Sequence, residues 1–183
     1  MHAKTLTTQI NQNTQRLVTA VIFFAALTAL TAQIKIQTVP VPITLQTLAV
    51  VLSGLVLGAR GGAAAQLAYL SMIAVGLPVD ANNLGPAVFV GPTAGYLAGF
   101  VMAAYVTGWL SERFATKNWW GHFVAALAGV VTIYIVGASW LAAVIGWQNA
   151  WLFGIAPFIL WDLGKAIVAA SVVANYELRT MKL

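Results

Sequence analysis

Residues 150–176 read AWLFGIAPFILWDLGKAIVAASVVANY, an apolar run interrupted by two opposite charges, Asp162 and Lys165, three residues apart. A stretch this long and this apolar suits a bilayer, where spanning the hydrocarbon takes roughly 20 residues of helix. Two charges inside such a helix cost several kcal/mol unless they face one another or a polar ligand. The segment therefore reads as a membrane helix carrying a site for something polar. At positions i and i+3 the two side chains share a helix face, so the plainer alternative is a self-neutralising structural pair. Pro157 favours the binding reading. If proline opens the regular part of the helix, Asp162 lies only one to two turns beyond that opening, within reach of a water-filled cavity. There a carboxylate accepts hydrogen bonds from ligand N–H groups, and an ammonium donates to a carbonyl or carboxylate.

The rest of the chain has the same character. Of 183 residues, 61% are hydrophobic and 7% charged, with a mean hydropathy of +0.87. Soluble domains carry about 25% charged residues. We expect an all-α integral membrane protein, a bundle of six transmembrane helices forming one substrate-binding domain over residues 1–183. A polar tail, Met1 to Gln15, precedes helix 1, Leu17 to Ile34, bracketed by Arg16 and Lys35. The apolar run is too long for a signal peptide. After Val39-Pro40-Val41-Pro42 comes helix 2, Leu45 to Ala59, ended by Arg60-Gly61-Gly62. Helix 3 covers Ala63 to Leu77 and stops at Pro78; a turn-rich connection, Val79 to Pro86, follows. Helix 4 covers Ala87 to Leu110 with a break near Gly91-Pro92, helix 5 Gly121 to Gly146, and helix 6 Ala150 to Tyr176. Helices 2 and 3 are short and glycine-rich at their ends, as broken elements beside transporter sites are.

The cations set an orientation. With a cytoplasmic amino terminus, Lys4, Arg16, Arg60, Arg113, Lys117, Arg179 and Lys182 fall inside and only Lys35 outside, Lys165 being within the membrane. That agrees with the positive-inside tendency and puts both termini in the cytoplasm. The net charge of +5 is then explained by topology and lipid contact, with no call on nucleic acid. The expected location is the cell (plasma) membrane of a prokaryote, crossed several times.

Absences narrow the chemistry. The only Gly-Lys pair, Gly164-Lys165, is followed by Ala166 and lacks the upstream glycine of a phosphate-binding loop, so ATP use would need another protein. There is no cysteine, and His2 and His122 form no ligand cluster. Metal binding, disulfides, thiol catalysis and a resident cofactor are not expected.

Candidate pocket residues surround the charge pair. Trp140, Trp147, Trp151, Phe153, Phe158 and Trp161 cluster near it. Most fit an interfacial aromatic belt, and Phe158 and Trp161 are the better pocket residues. Polar candidates on the outer half are Thr44, Gln46, Asn82, Asn83 and Tyr96, each with a loop or cap role as its alternative; Thr47 and Gln66 come after them. On helix 1, Ala25 and Ala29, with Ala32 a turn further, form a small-residue stripe that suits close helix packing, inside the bundle or against a partner.

Five ordered motifs now carry a resemblance. They are Val41-Pro42-Ile43-Thr44-Leu45-Gln46-Thr47, Gly58-Ala59-Arg60-Gly61-Gly62, Gly76-Leu77-Pro78-Val79, Gly91-Pro92-Thr93-Ala94-Gly95-Tyr96-Leu97-Ala98-Gly99-Phe100, and Pro157-Phe158-Ile159-Leu160-Trp161-Asp162-Leu163-Gly164-Lys165. Across nearly its full length the chain resembles the BioY family, biotin-specific substrate-binding (S) components of energy-coupling-factor transporters. The third connection departs from the family pattern: Asp80-Ala81-Asn82-Asn83 stands where a more glycine-rich stretch is usual. The resemblance implies a six-helix protein that captures biotin in an outward-facing pocket and works with a transmembrane coupling protein and two cytoplasmic ATPases. It implies that Asp162 and Lys165 contact biotin and that Ala25 and Ala29 dock the coupling protein. Three other readings remain at this point. They are an S component for another vitamin, separable by ligand competition; a secondary transporter that works alone in vesicles; and an intramembrane enzyme, against which stands the lack of a nucleophile or second carboxylate beside Asp162.

Overall fold

In the computed structural model the described residues are 2–114 and 118–180, with side chains over 14–114 and 118–176. Lys117 and Lys182 of the orientation argument fall outside them, as do the side chains of Lys4 and Arg179. In chain order the elements are α1 (His2–Gln33), β1 (Lys35–Ile36), β2 (Ile43–Thr44), α2 (Gln46–Ala74), a 3-10 helix (Gly85–Val90), α3 (Ala94–Phe114), α4 (Trp119–Ile145), α5 (Trp147–Gly154) and α6 (Ile159–Thr180). Among the described residues, five helices are long and apolar enough to cross a membrane: α1 from Thr14, α2, α3, α4, and α6 up to Tyr176. The two short strands pair antiparallel, Lys35 opposite Thr44.

The polar segment expected as a tail is helical from His2 onward. Residues 2–16 contain neither glycine nor proline, so nothing in them stops a helix that the apolar run has already nucleated.

Helices 2 and 3 of the sequence reading form a single hydrogen-bonded run, α2, folded sharply at Gly58 (φ 73°, ψ −177°). Its two arms lie antiparallel. Gln66 Nε2 donates to Ser53 Oγ at 3.0 Å, and Gln46 Nε2 to the Tyr69 hydroxyl at 2.7 Å. In a straight helix residues 46 and 69 would stand roughly 35 Å apart. A Cβ on Gly62 would lie 2.8 Å from Gly54 Cα, so the arms touch backbone to backbone. The turn thus falls at Gly58, ahead of the expected Arg60-Gly61-Gly62, and the second arm starts at Ala59 and ends at Ala74. Glu112 of α3 closes it: its Oε1 accepts the Ala59 N–H at 2.9 Å, the service an N-cap performs for a helix start.

The predicted break near Gly91-Pro92 is present and separates the 3-10 helix from α3. Helix 5 corresponds to α4, which Asn118 caps by accepting the Gly121 N–H at 2.7 Å. Helix 6 is a correction: the expected Ala150–Tyr176 helix is two elements, α5 and α6, with residues 155–158 between them. Pro157 lies in that gap, where its missing N–H and its restriction of the preceding residue end one helix and precede the next.

Ala25, Thr28, Ala29 and Ala32 share one buried face of α1. Thr28 Oγ1 meets Gln66 Oε1 at 3.3 Å, so that face packs on the second arm of α2, and the small side chains permit the approach. The alanine stripe thus packs on the second arm of α2 in this structure, with Ile22, Phe23 and Leu30 exposed nearby. Ala29→Leu is expected to lower stability by about 1–3 kcal/mol through overpacking, read as a lower melting temperature in detergent. Leu30→Ala on the exposed face serves as its near-neutral control.

Candidate ligand-binding site

One end of the bundle holds a cavity walled by α2, the 79–93 connection, α3, α4 and α6. Its lining includes Val41, Pro42, Thr44, Gln46, Thr47, Asp80, Ala81, Asn82, Val88, Thr93, Tyr96, Leu97, Phe100, Ile133, Tyr134, Phe158 and Asp162. The free space is about 60 Å³, several times what one water needs. The wall is mostly apolar with few polar groups, the usual make-up of a small-molecule pocket.

The α6 side of the cavity is built by helical spacing. Phe158, Asp162 and Lys165 lie four and three residues apart, so they share the face turned toward the other helices. Asp162 and Lys165 are 2% and 6% exposed. Lys165 Nζ donates to Asp162 Oδ1 at 2.6 Å and to the Thr44 carbonyl at 2.7 Å. The second bond ties α6 to β2. The remaining carboxylate oxygen, Oδ2, accepts the Tyr134 hydroxyl at 2.6 Å. Only Asp162 of the charge pair lines the cavity; Lys165 stands behind it, neutralising the charge and holding the strand.

The opposite wall comes from the start of α2. Thr44 Oγ1 donates to Gln46 Oε1 at 3.2 Å while Gln46 Nε2 donates to Tyr69, whose hydroxyl donates on to the Val79 carbonyl at 3.3 Å. The third connection is organised by Asp80, 1% exposed. Its carboxylate accepts backbone N–H groups from Asn82 at 3.0 Å, Leu84 at 3.1 Å and Gly85 at 2.8 Å. Lys35 of β1 donates to the Ala81 carbonyl, and Gln37 Nε2 to Asn82 Oδ1 at 3.3 Å. The segment between α1 and α2 and the third connection are thereby tied together over the cavity.

The structure brings together Thr44, Gln46, Asn82, Tyr96, Phe158 and Asp162 as lining residues. It does not bring Asn83 or Trp161. Asn83 is exposed and sits at φ 55°, a left-handed turn position that asparagine tolerates. Trp161, 54% exposed, lies about 100° round the helix from Asp162 and so faces away from the bundle. Trp140, Trp147, Trp151 and Phe153 are likewise exposed, as a belt requires. Tyr96 lines the cavity with its ring, but its hydroxyl donates to the Gly154 carbonyl at 2.9 Å, holding the end of α5. Thr47 lines the cavity, whereas Gln66 belongs to the interior Thr28–Ser53 network. Tyr134 and Asp80 escaped the sequence reading as site residues. Tyr134 had one signal, a hydroxyl inside an apolar helix that must find a partner. Asp80 read as an ordinary loop residue.

Fold and site define a multi-pass membrane protein with a mostly apolar, small-molecule-sized cavity at one end of its bundle. The profile of the BioY family matches residues 3–181, and the chain belongs to that family. The biotin transporter BioY of Rhizobium etli is 41% identical over 182 residues, 91% of this chain and 97% of the relative. That of Thermotoga maritima is 40% identical over 84% of this chain and 91% of its own length. Among solved structures, the S-component for biotin from an ECF-type ABC transporter superposes with a TM-score of 0.81 at 28% identity, covering 91% of this chain and 93% of that one.

Proposed function

We propose that the protein is the biotin-binding S component of an energy-coupling-factor transporter, a non-enzymatic subunit that captures biotin for uptake driven by a separate ATPase module. The observation that carries this reading is the cavity in which one carboxylate, held by Lys165 and Tyr134, faces a mainly apolar wall. Biotin has a ureido ring with two N–H donors and a carbonyl, an apolar thioether ring, and a chain ending in a carboxylate. Asp162 supplies an acceptor for a ureido N–H. Leu97, Phe100, Ile133 and Phe158 supply the apolar wall for the fused ring and chain. Thr44, Gln46 and Asn82 supply polar groups for the carbonyl or carboxylate.

In this reading the whole chain is one transmembrane domain in the cell membrane. The two short arms of α2, each extended by its flanking residues, cross as a pair, making six spans with both termini cytoplasmic and the cavity facing outward. Arg16, Arg60 and Arg113 then stand on the cytoplasmic side, as the positive-inside tendency requires. Biotin capture needs no cofactor. A transmembrane coupling protein and two cytoplasmic ATPases complete the transporter.

The test is equilibrium binding of biotin to the detergent-purified protein by tryptophan fluorescence and calorimetry, with desthiobiotin and riboflavin for comparison. Tight, saturable binding of biotin without ATP is expected, with riboflavin unbound. Preference for a different vitamin, or no binding by folded protein, would reject the assignment.

A further inference from the structure

Two carboxylates line the cavity, Asp80, whose oxygens take backbone N–H groups, and Asp162; an Asp162 that served ligand N–H groups alone would be free to turn. Here it is fixed on both sides. Oδ1 receives Lys165 and Oδ2 receives Tyr134, each at 2.6 Å. The two donors approach from different elements, Lys165 from α6 itself and Tyr134 from α4. Lys165 is outside the wall, whereas Tyr134 lies in it beside Ile133. The Tyr134 hydroxyl has one proton, and that proton points at Asp162.

We propose that Tyr134 is a positioning and specificity residue for the ligand-binding carboxylate, making this part of the wall an acceptor-only surface. The proposal rests on the biotin reading above. With its proton committed, the tyrosine oxygen presents only lone pairs, and Asp162 keeps lone pairs beyond those taken by its two donors. A ligand group meeting this wall must bring N–H donors. A carbonyl or carboxylate finds no donor there, because Lys165, bonded to Asp162 and the Thr44 carbonyl, does not line the cavity. Without the tyrosine hydroxyl, Oδ2 loses its fixed partner inside a mostly apolar wall, and the carboxylate is free to rotate away from the ligand.

The test is a double-mutant cycle on biotin affinity, measured by calorimetry on the full-length protein in detergent with Tyr134→Phe, Asp162→Asn and both together. Tyr134→Phe alone is expected to weaken biotin binding about tenfold. In the Asp162→Asn background the same change is expected to alter affinity less than twofold, since the group it positions is gone. A tenfold loss in both backgrounds would show a merely structural role and overturn the proposal, as would wild-type affinity in Tyr134→Phe. If Tyr134→Phe alone does not fold, it is combined with Asp162→Asn and Lys165→Met, which leaves no stranded charge; a change in biotin affinity of less than twofold relative to that double variant supports the proposal, and a tenfold loss overturns it. A wild-type protein that binds no biotin rejects the ligand assignment and this proposal together, whereas biotin binding indifferent to Tyr134 rejects this proposal alone.

Discussion

Asp162→Asn is expected to weaken biotin binding about 100-fold. A hydrogen bond to a charged group contributes roughly 1.5–3 kcal/mol, and each 1.4 kcal/mol is a factor of ten. The amide keeps an acceptor oxygen but loses the charge and offers N–H donors where the ligand also brings donors. A second effect accompanies the first. Lys165 is 6% exposed and loses its ion-pair partner, and an uncompensated buried charge destabilises a fold by about 3–5 kcal/mol. The two effects separate in the variant carrying Asp162→Asn and Lys165→Met together, which removes the stranded charge. Its melting temperature is expected to recover most of the loss while biotin affinity stays low. Affinity unchanged in Asp162→Asn would take the carboxylate out of the site and leave the ion pair as a structural one.

Gly58→Ala is expected to reduce stability by about 3 kcal/mol, the second largest effect. The residue combines φ 73° with ψ −177°, a region that is almost glycine's alone and costs other residues roughly 1–3 kcal/mol. The new methyl would also collide with Glu112 Oε1, pushing away the carboxylate that caps the second arm, a further loss of about 1 kcal/mol. Thermal unfolding in detergent measures the sum. Adding Glu112→Ala to Gly58→Ala removes the collision but not the backbone strain, so it should not restore the wild-type melting temperature. Gly164→Ala, with open space around it, is the control and should melt at or slightly above the wild type. Wild-type stability in Gly58→Ala would mean that the fold of α2 is not set by this residue.

The helical membrane character was legible because hydrophobicity and scarcity of charge are properties of segments and survive without knowledge of contacts. The charge pair was legible for the same reason, being anomalous in its surroundings. Element ends were legible where proline or glycine marks them, as at Gly91-Pro92. What proline does in the middle of an apolar run is harder to read, and the gap at residues 155–158 was taken for the start of one helix when it divides two. Three glycines within five residues marked the turn of α2 without saying which of them bends, because that is decided by Gly108 and Glu112 of a distant helix. The direction of a side chain round its helix was the least legible property. Trp161 and Asp162 are neighbours in sequence and face different surroundings, and the Ala25 and Ala29 face of α1, which suited packing in the bundle or against a partner, lies against α2. Tyr134 came from a helix whose one candidate in the sequence reading was the belt residue Trp140, so only three-dimensional proximity exposes it.

The doubled-back course of α2 also bears on how the chain enters a bilayer during synthesis. Its arms, residues 46–57 and 59–74, rise only about 18 and 24 Å at 1.5 Å per residue, short of the roughly 30 Å of hydrocarbon. Neither is therefore a strong solitary substrate for lateral release into lipid. Gln46 and Tyr69 find each other across the two arms, as do Ser53 and Gln66. Their polar groups are thus satisfied within the hairpin, before any later helix has been made. Partitioning into the membrane should accordingly involve the pair as one unit, with arrest of translation between the arms leaving the first unable to commit.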